Sequence, residues 1–132
     1  MKYLLDTYIF FWCLADESLL PSDVREAIAH PSASVYVSSA SAFETSAKVR
    51  LGKWGEATAL ASTWVETVRA FGAQSLDIST QHSLLAGSLP WAHRDPFDRL
   101  LASQAIPDGL TFVTADGAFV QPPAGLRVLA AV

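Results

Sequence analysis

The sequence has few of the residues that build covalent cross-links or transition-metal sites. Cys13 is its single cysteine, which excludes an internal disulfide and a thiolate metal centre. We expect Cys13, in an apolar run, to be a small buried hydrophobic side chain. The three histidines, His30, His82 and His93, are far apart and show no zinc-ligand spacing. We expect them to lie on the surface or to support other functional side chains.

The sequence also lacks a long hydrophobic run. Its longest apolar stretch, residues 8–15, is far shorter than the roughly 20 residues that a transmembrane helix needs. The N-terminus has neither the basic start nor the small-residue cleavage site of a signal peptide. We therefore expect a cytoplasmic protein that does not contact a membrane.

Charged residues are scarce, and the formal net charge is -4. Proteins that bind nucleic acid usually carry an excess of basic residues, so composition alone argues weakly against such a partner. Clustered catalytic carboxylates would themselves explain much of the negative charge, and a bound metal would offset it locally. The hydrophobic share of 51% predicts apolar surface for a partner or a second copy, which is consistent with a homodimer. The length of 132 residues predicts a single domain over residues 1–132.

Predicted strands and helices alternate along most of the chain. Hydrophobic patterning predicts strands at residues 2–6, 34–38, 75–78, 110–114 and 126–130. Helices are predicted at residues 8–16, after Ser22 as N-cap, from Ser39 or Ser41 to Leu51, at 56–71, at 79–89, and from Pro96 to about residue 108. This alternation predicts an α/β fold with a central parallel sheet and helices on both faces.

Four acidic residues occupy informative positions in this pattern. Asp6 and Asp116 follow predicted strands, Asp98 lies in the first turn of a helix, and Glu44 lies in a largely apolar helical segment. Ligands of open α/β sheets bind outside the carboxyl ends of the strands, where these side chains could converge. Converging carboxylates repel one another unless a cation lies between them. The pattern therefore indicates a Mg²⁺ or Mn²⁺ site and metal-assisted phosphodiester cleavage.

Each acidic residue also has a purely structural interpretation. Asp6 could be an ordinary N-cap, Glu44 could face solvent, Asp98 could favour the helix dipole, and Asp116 with Gly117 is typical of a turn. Asp95 precedes Pro96 at a helix start, so it is either a helix cap or an accessory carboxylate of the site.

Three basic residues, Lys48, Arg94 and Arg99, lie near the predicted site in the sequence. Lys48 follows Glu44 by one helical turn and could either contact a phosphate or form an i,i+4 ion pair with Glu44.

Five segments in order resemble the PIN-domain family and, more narrowly, the ribonuclease toxins of VapBC toxin–antitoxin pairs. They are Leu4-Leu5-Asp6-Thr7, residues 37–41 with Glu44, Leu51-Gly52-Lys53, residues 93–102, and Val113-Thr114-Ala115-Asp116. The most specific part is Asp95-Pro96-Phe97-Asp98-Arg99-Leu100-Leu101. One departure is Tyr8, which stands where many relatives carry histidine.

The resemblance implies a Mg²⁺- or Mn²⁺-dependent endoribonuclease that acts on RNA and is silenced by a cognate VapB-like antitoxin. By position it implies an acidic quartet that is both catalytic and metal-binding: Asp6, Glu44, Asp98 and Asp116. It also implies that the hydroxyl groups of Thr7 and Thr114 orient Asp6 and Asp116.

Two other functions remain open from the residues. A phosphatase or phosphotransferase could use Asp6 as its nucleophile, although Tyr8 rather than a second aspartate follows two positions later. Alternatively, the chain could be a non-catalytic PIN-like binding module in which the acidic residues only cap helices.

Overall fold

The computed structural model describes residues 1–132 and contains one five-stranded sheet in which every pairing is parallel. The strand order is β3-β2-β1-β4-β5. The strands are β1 (Lys2–Leu5), β2 (Ser34–Ser38), β3 (Gln74–Leu76), β4 (Thr111–Thr114) and β5 (Arg127–Ala130).

Helices connect the strands. They are α1 (Thr7–Ala15), α2 (Ser22–Ala29), α3 (Ser39–Arg50), α4 (Thr58–Ser62), α5 (Trp64–Phe71), α6 (Thr80–Ser88) and α7 (Pro96–Asp108). Short 3-10 turns cover Glu17–Leu19, Gly55–Ala57 and Gly117–Val120.

The alternation of side chains along the strands places a hydrophobic core on each face of the sheet. In β1, Tyr3 and Leu5 join one core, and Leu4 joins the other. The first core also contains side chains of α1, α2 and α5, and the second contains those of α7. The predicted α/β fold, with a parallel sheet covered on both faces, is therefore confirmed.

The strand order reverses between β1 and β4. The chain first builds β2 and β3 on one side of β1, and then crosses through α6 and α7 to place β4 and β5 on the other. Such a reversal opens a crevice outside the carboxyl ends of the strands, which is where open α/β sheets bind ligands. Asp6 directly follows β1, and Asp116 lies just after β4.

Two details of the predicted helices are wrong. Ser22 is the first helical residue of α2, because Pro21 holds the extended N-cap conformation and offers no side-chain acceptor. The predicted helix at 56–71 is broken at Thr63, whose dihedral angles leave the helical region. The Thr63 hydroxyl bonds to the Ala59 carbonyl and to Thr67, a local alternative that competes with regular helix.

Cys13 behaves as a hydrophobic side chain. It is half-buried against the first core, and burial raises the pKa of its thiol to about 11. None of the helices is both long enough and apolar enough to cross a membrane.

Candidate active site

Asp6 lies at the junction of β1, β4 and α1, and both of its carboxylate oxygens accept hydrogen bonds. Oδ1 accepts from the backbone N–H of Thr7 at 2.8 Å, and Oδ2 accepts from the Thr114 hydroxyl at 2.6 Å. The backbone N–H of Asp6 donates to the Val113 carbonyl at 2.9 Å. Asp6 is therefore the N-cap of α1, as its structural interpretation predicts, and its second oxygen is fixed by the neighbouring strand.

Glu44 points into the protein rather than into solvent. Its Oε1 accepts from the Thr7 hydroxyl at 2.7 Å, and its side chain is 16% exposed. Ser41 Oγ lies 2.9 Å from the same hydroxyl oxygen, which fixes the spacing between α1 and α3. Lys48 Nζ lies 3.0 Å from Glu44 Oε2, so the predicted i,i+4 pair is present.

Asp98 is the most enclosed of the four carboxylates, with 8% of its surface exposed. It is the third residue of α7, and its Oδ2 lies 2.6 Å from His93 Nε2. The nearby Asp95 has the capping role that was predicted, because its Oδ1 accepts from the backbone N–H groups of Phe97 and Asp98. His93 therefore orients Asp98, although its place in the sequence did not single it out for that role.

Asp116 is exposed and caps the 3-10 turn that follows β4. Its Oδ1 accepts from the backbone N–H of Ala118 at 2.9 Å, and its own backbone N–H donates to Thr114 Oγ1 at 3.0 Å. The predicted roles of the two threonine hydroxyl groups therefore need correction. The Thr114 hydroxyl orients the carboxylate of Asp6, and that of Thr7 orients Glu44.

Burial and mutual repulsion disfavour the ionised forms of two of these groups. Burial is the main cause that raises the pKa of Asp6 to about 6; hydrogen bonds from Thr114 and Thr7 oppose it, and repulsion by Glu44 and Asp116 adds to it.

The pKa of Asp98 also rises to about 6. Burial is again the largest cause, the bond to His93 opposes it, and repulsion by Asp95, Asp116 and Asp6 adds to it. Asp6 is thus close enough to the other three carboxylates to interact with each of them electrostatically.

The donor set suits a hard cation, but the side chains do not form a closed cage. All four candidate ligands offer carboxylate oxygens, which Mg²⁺ and Mn²⁺ prefer. No group of three or more histidine, cysteine, aspartate or glutamate side chains could hold one metal ion in this conformation. Mg²⁺ commonly binds one or two carboxylates and keeps several waters, so an open arrangement is compatible with it. A cation here would also offset the repulsion that adds to the effect of burial on the two pKa values.

Arg99 does not point at the candidate site, contrary to what its sequence position suggests. Its guanidinium group donates to the carbonyl oxygens of Ala86, Leu89, Trp91 and His93. Arg99 therefore fixes the segment between α6 and α7, and this segment carries His93. Arg94 is exposed. Lys48 is the basic side chain that directly contacts one of the four carboxylates.

Gln104 is a structural residue that the sequence did not reveal. It is completely buried in α7; Oε1 accepts from the Ser38 hydroxyl, and Nε2 donates to the Leu76 carbonyl at 3.1 Å. It therefore ties α7 to the carboxyl ends of β2 and β3. A lone amide among the apolar residues 100–106 was the available signal, since a buried amide needs partners.

Comparison with known proteins agrees with the fold and with the resemblance in sequence. VapBC2 from Rickettsia felis, bound to promoter DNA, has a chain 20% identical, with 98% of each chain covered and a TM-score of 0.71. DNA-bound VapBC from Salmonella typhimurium has a chain 22% identical, with 100% of this chain and 99% of that chain covered and a TM-score of 0.69.

FitAcB from Neisseria gonorrhoeae has a chain 21% identical, with 99% of this chain and 98% of that chain covered and a TM-score of 0.67. At these identities, the likeness establishes the fold. No curated protein matches the chain. The family model described as PIN domain matches residues 3–124, so the chain belongs to the PIN domain family.

Proposed function

We propose that this protein is a VapC-like endoribonuclease toxin that depends on Mg²⁺ or Mn²⁺. One observation carries the proposal: within a PIN-domain fold, Asp6 after β1, Asp98 in α7 and Asp116 after β4 interact at the crevice where the strand order reverses. Burial, with this repulsion added, raises the pKa of Asp6 and Asp98 to about 6. Folding places negative charge where it is unfavourable, a pattern common in active sites. A divalent cation is the partner that makes such an arrangement favourable.

The side chains of the site have three proposed roles: to bind the metal, to orient its ligands and to contact RNA. Asp6 and Asp98 are the proposed direct ligands, and Glu44 and Asp116 complete the set. A bound cation would lower the pKa of a water ligand and stabilise the charge that develops on the phosphoryl group. Thr114 and His93 hold the carboxylates of Asp6 and Asp98 in place. Lys48, paired with Glu44, is available to contact the RNA backbone.

The negative net charge of the chain is compatible with RNA cleavage. With a formal net charge of -4 and nine lysine and arginine residues, the chain offers few cationic groups to RNA. Affinity for the scissile phosphate would then depend mainly on the bound cation. We therefore expect RNA binding to weaken sharply when divalent ions are removed.

A VapB-like antitoxin and a second copy of the chain are the proposed protein partners, and the cytoplasm is the proposed compartment. The similar structures include VapBC toxin–antitoxin complexes. Large apolar side chains also remain on the surface, among them Phe43, Leu84 and Val120. Exposed apolar side chains of this size, where they form a contiguous patch, are typical of protein interfaces.

The test is cleavage of a labelled single-stranded RNA by the purified chain, free of antitoxin. We expect cleavage with Mg²⁺ or Mn²⁺ and none with a chelator. We expect Asp6→Asn to lower the rate at least about 100-fold, since the loss of even an outer-shell partner costs up to that much. Asp108→Asn, an exposed residue at the end of α7, is the control for the loss of one carboxylate.

Equal rates for the native chain and Asp6→Asn would overturn the nuclease assignment. A covalent phosphate trapped on Asp6 would favour the phosphotransferase alternative instead. A protein that neither cleaves RNA nor gains thermal stability from Mg²⁺ would be a binding module, since a ligand of the folded state raises stability by mass action.

A further inference from the structure

A cavity of about 310 Å³ adjoins the candidate site and contains two of its four carboxylates. Its lining comprises Asp6, Tyr8, Ile9, Trp12, Ala115 and Asp116. A larger cavity of about 430 Å³ lies beside Cys13 and α2 and contains none of the four. The smaller cavity is therefore the one that a bound substrate would reach from the reacting phosphate.

Two aromatic rings form the apolar part of this cavity. Tyr8 is 39% exposed, and its ring centroid lies 6.4 Å from that of Trp12. The Trp54 ring lies 4.5 Å from Tyr8, and Trp12 is partly buried against the first hydrophobic core. The two rings are thus fixed by packing before any substrate arrives. Rigid aromatic surfaces of this kind stack unpaired nucleobases.

A basic side chain, Lys48, contacts the Tyr8 ring from outside the lining of the cavity. Lys48 Nζ lies 4.9 Å from the centroid of the Tyr8 ring and 3.2 Å from its hydroxyl oxygen. A nucleotide with its base against Tyr8 would therefore have its phosphate within reach of Lys48 and of the proposed metal ligands.

The chemistry of the lining also limits the occupant. An apolar peptide side chain would fill the aromatic side of the cavity but would offer no hydrogen-bond donor to the carboxylate oxygens on its other side, and unpaired polar groups are costly to bury. A nucleobase has apolar faces for the two rings and a polar edge that can donate hydrogen bonds to carboxylates. We propose that this cavity holds an unpaired nucleobase next to the scissile phosphate, with Tyr8 and Trp12 as the stacking surface. The inference rests on the proposed ribonuclease activity and restricts its substrate to single-stranded RNA at that position.

The experiment compares Tyr8→Leu, Tyr8→Phe and the native chain on a short single-stranded RNA whose cleavage position has first been mapped. Stacking of one base predicts about a 10-fold rise in KM for Tyr8→Leu, with a much smaller change in kcat. Tyr8→Phe retains the ring and should restore most of the affinity. Phe43→Leu is the matched control, because Phe43 is 65% exposed and pairs with Phe97, away from this cavity.

A second substrate makes the assignment specific. An RNA with an abasic nucleotide beside the cleaved bond should raise KM for the native chain about as much as Tyr8→Leu does. For Tyr8→Leu, the same abasic RNA should raise KM little further, because the stacked pair is already lost.

The base subsite would be overturned if the abasic RNA raised KM as much for Tyr8→Leu as for the native chain. It would also be overturned if Tyr8→Leu had the KM of the native chain. Neither result would contradict the nuclease activity. A change of oligomeric state in Tyr8→Leu with unchanged KM would assign the surface to a second copy and would also overturn the base subsite. Absence of cleavage by the native chain would instead be a failure of the proposed function.

Discussion

Replacement of Asp98 by asparagine is expected to remove most of the RNA cleavage and, at the same time, to stabilise the metal-free protein above pH 7. Asp98 is almost fully buried, and burial together with neighbouring negative charges raises its pKa to about 6. Asparagine has nearly the same shape, keeps an acceptor for His93 and carries no charge. A shift of about 2 pKa units corresponds to about 3 kcal/mol, which is the upper bound of the expected gain.

The measurement pairs urea denaturation at pH 7.5 in a chelator with RNA cleavage in Mn²⁺. We expect Asp98→Asn to be more stable than the native chain by about 1–3 kcal/mol and to cleave at least about 100-fold more slowly. Such an exchange of stability for activity is typical of residues that folding alone would not favour.

Asp95→Asn is the matched control, since it lies three positions away and asparagine can still cap α7. We expect this variant to retain cleavage within about 10-fold of the native rate, because Asp95 acts on the site only through its charge. An Asp98→Asn protein that cleaves RNA at the native rate would contradict the assignment. So would one that is less stable than Asp95→Asn.

The metal-free protein is expected to lose stability as the pH rises from about 4 to above 6, because of Asp6 and Asp98. Below the unfolded pKa of 3.8, these carboxyl groups are protonated in both states and contribute no penalty. Between 3.8 and about 6, the folded state binds more protons than the unfolded state, so stability falls with pH. Above about 6, both groups are ionised and the full penalty is present. This direction is opposite to that of a carboxylate whose pKa is lowered by an ion pair.

The test compares Asp6→Asn with the native chain by urea denaturation in a chelator at pH 4.5 and pH 7.5. The stability advantage of the variant should grow between the two pH values by up to about 2 kcal/mol, because part of the penalty is already present at pH 4.5. Asp108→Asn controls for general effects of charge, and its difference from the native chain should not grow in this way. If the difference in unfolding free energy between Asp6→Asn and the native chain were the same at both pH values, the raised pKa of Asp6 would be contradicted.

Hydrophobic patterning predicts most of the fold because local and global preferences agree. The strands around Leu4 and Phe112 are short apolar runs, and Gly72, Pro90 and Asp95 mark the helix boundaries. The break at Thr63 could not be predicted, because it depends on hydroxyl bonds to residues on either side. Threonine can form these hydroxyl bonds or remain in a regular helix, so its presence alone does not predict the break.

The sequence placed the acidic residues near one edge of the sheet, but it could not supply the contacts between them. The bond from Thr7 to Glu44 joins residues 37 positions apart, and that from Thr114 to Asp6 joins residues 108 apart. Such long-range pairs depend on the tertiary structure, so sequence spacing does not predict them. Arg99 shows the opposite error, because a basic residue beside Asp98 in sequence turns away to bind four backbone carbonyl oxygens.

The most direct test of the central claim is calorimetric titration of Mn²⁺ into the purified chain and into an Asp6→Asn, Asp98→Asn double variant. We predict that the native chain binds Mn²⁺ at pH 7.5 and that the double variant loses this binding. At pH 6, near the pKa of both groups, binding to the native chain should also release protons to the buffer. Equal Mn²⁺ affinity in the two proteins, or binding without proton release at pH 6, would contradict the claim that these carboxylates form the metal site.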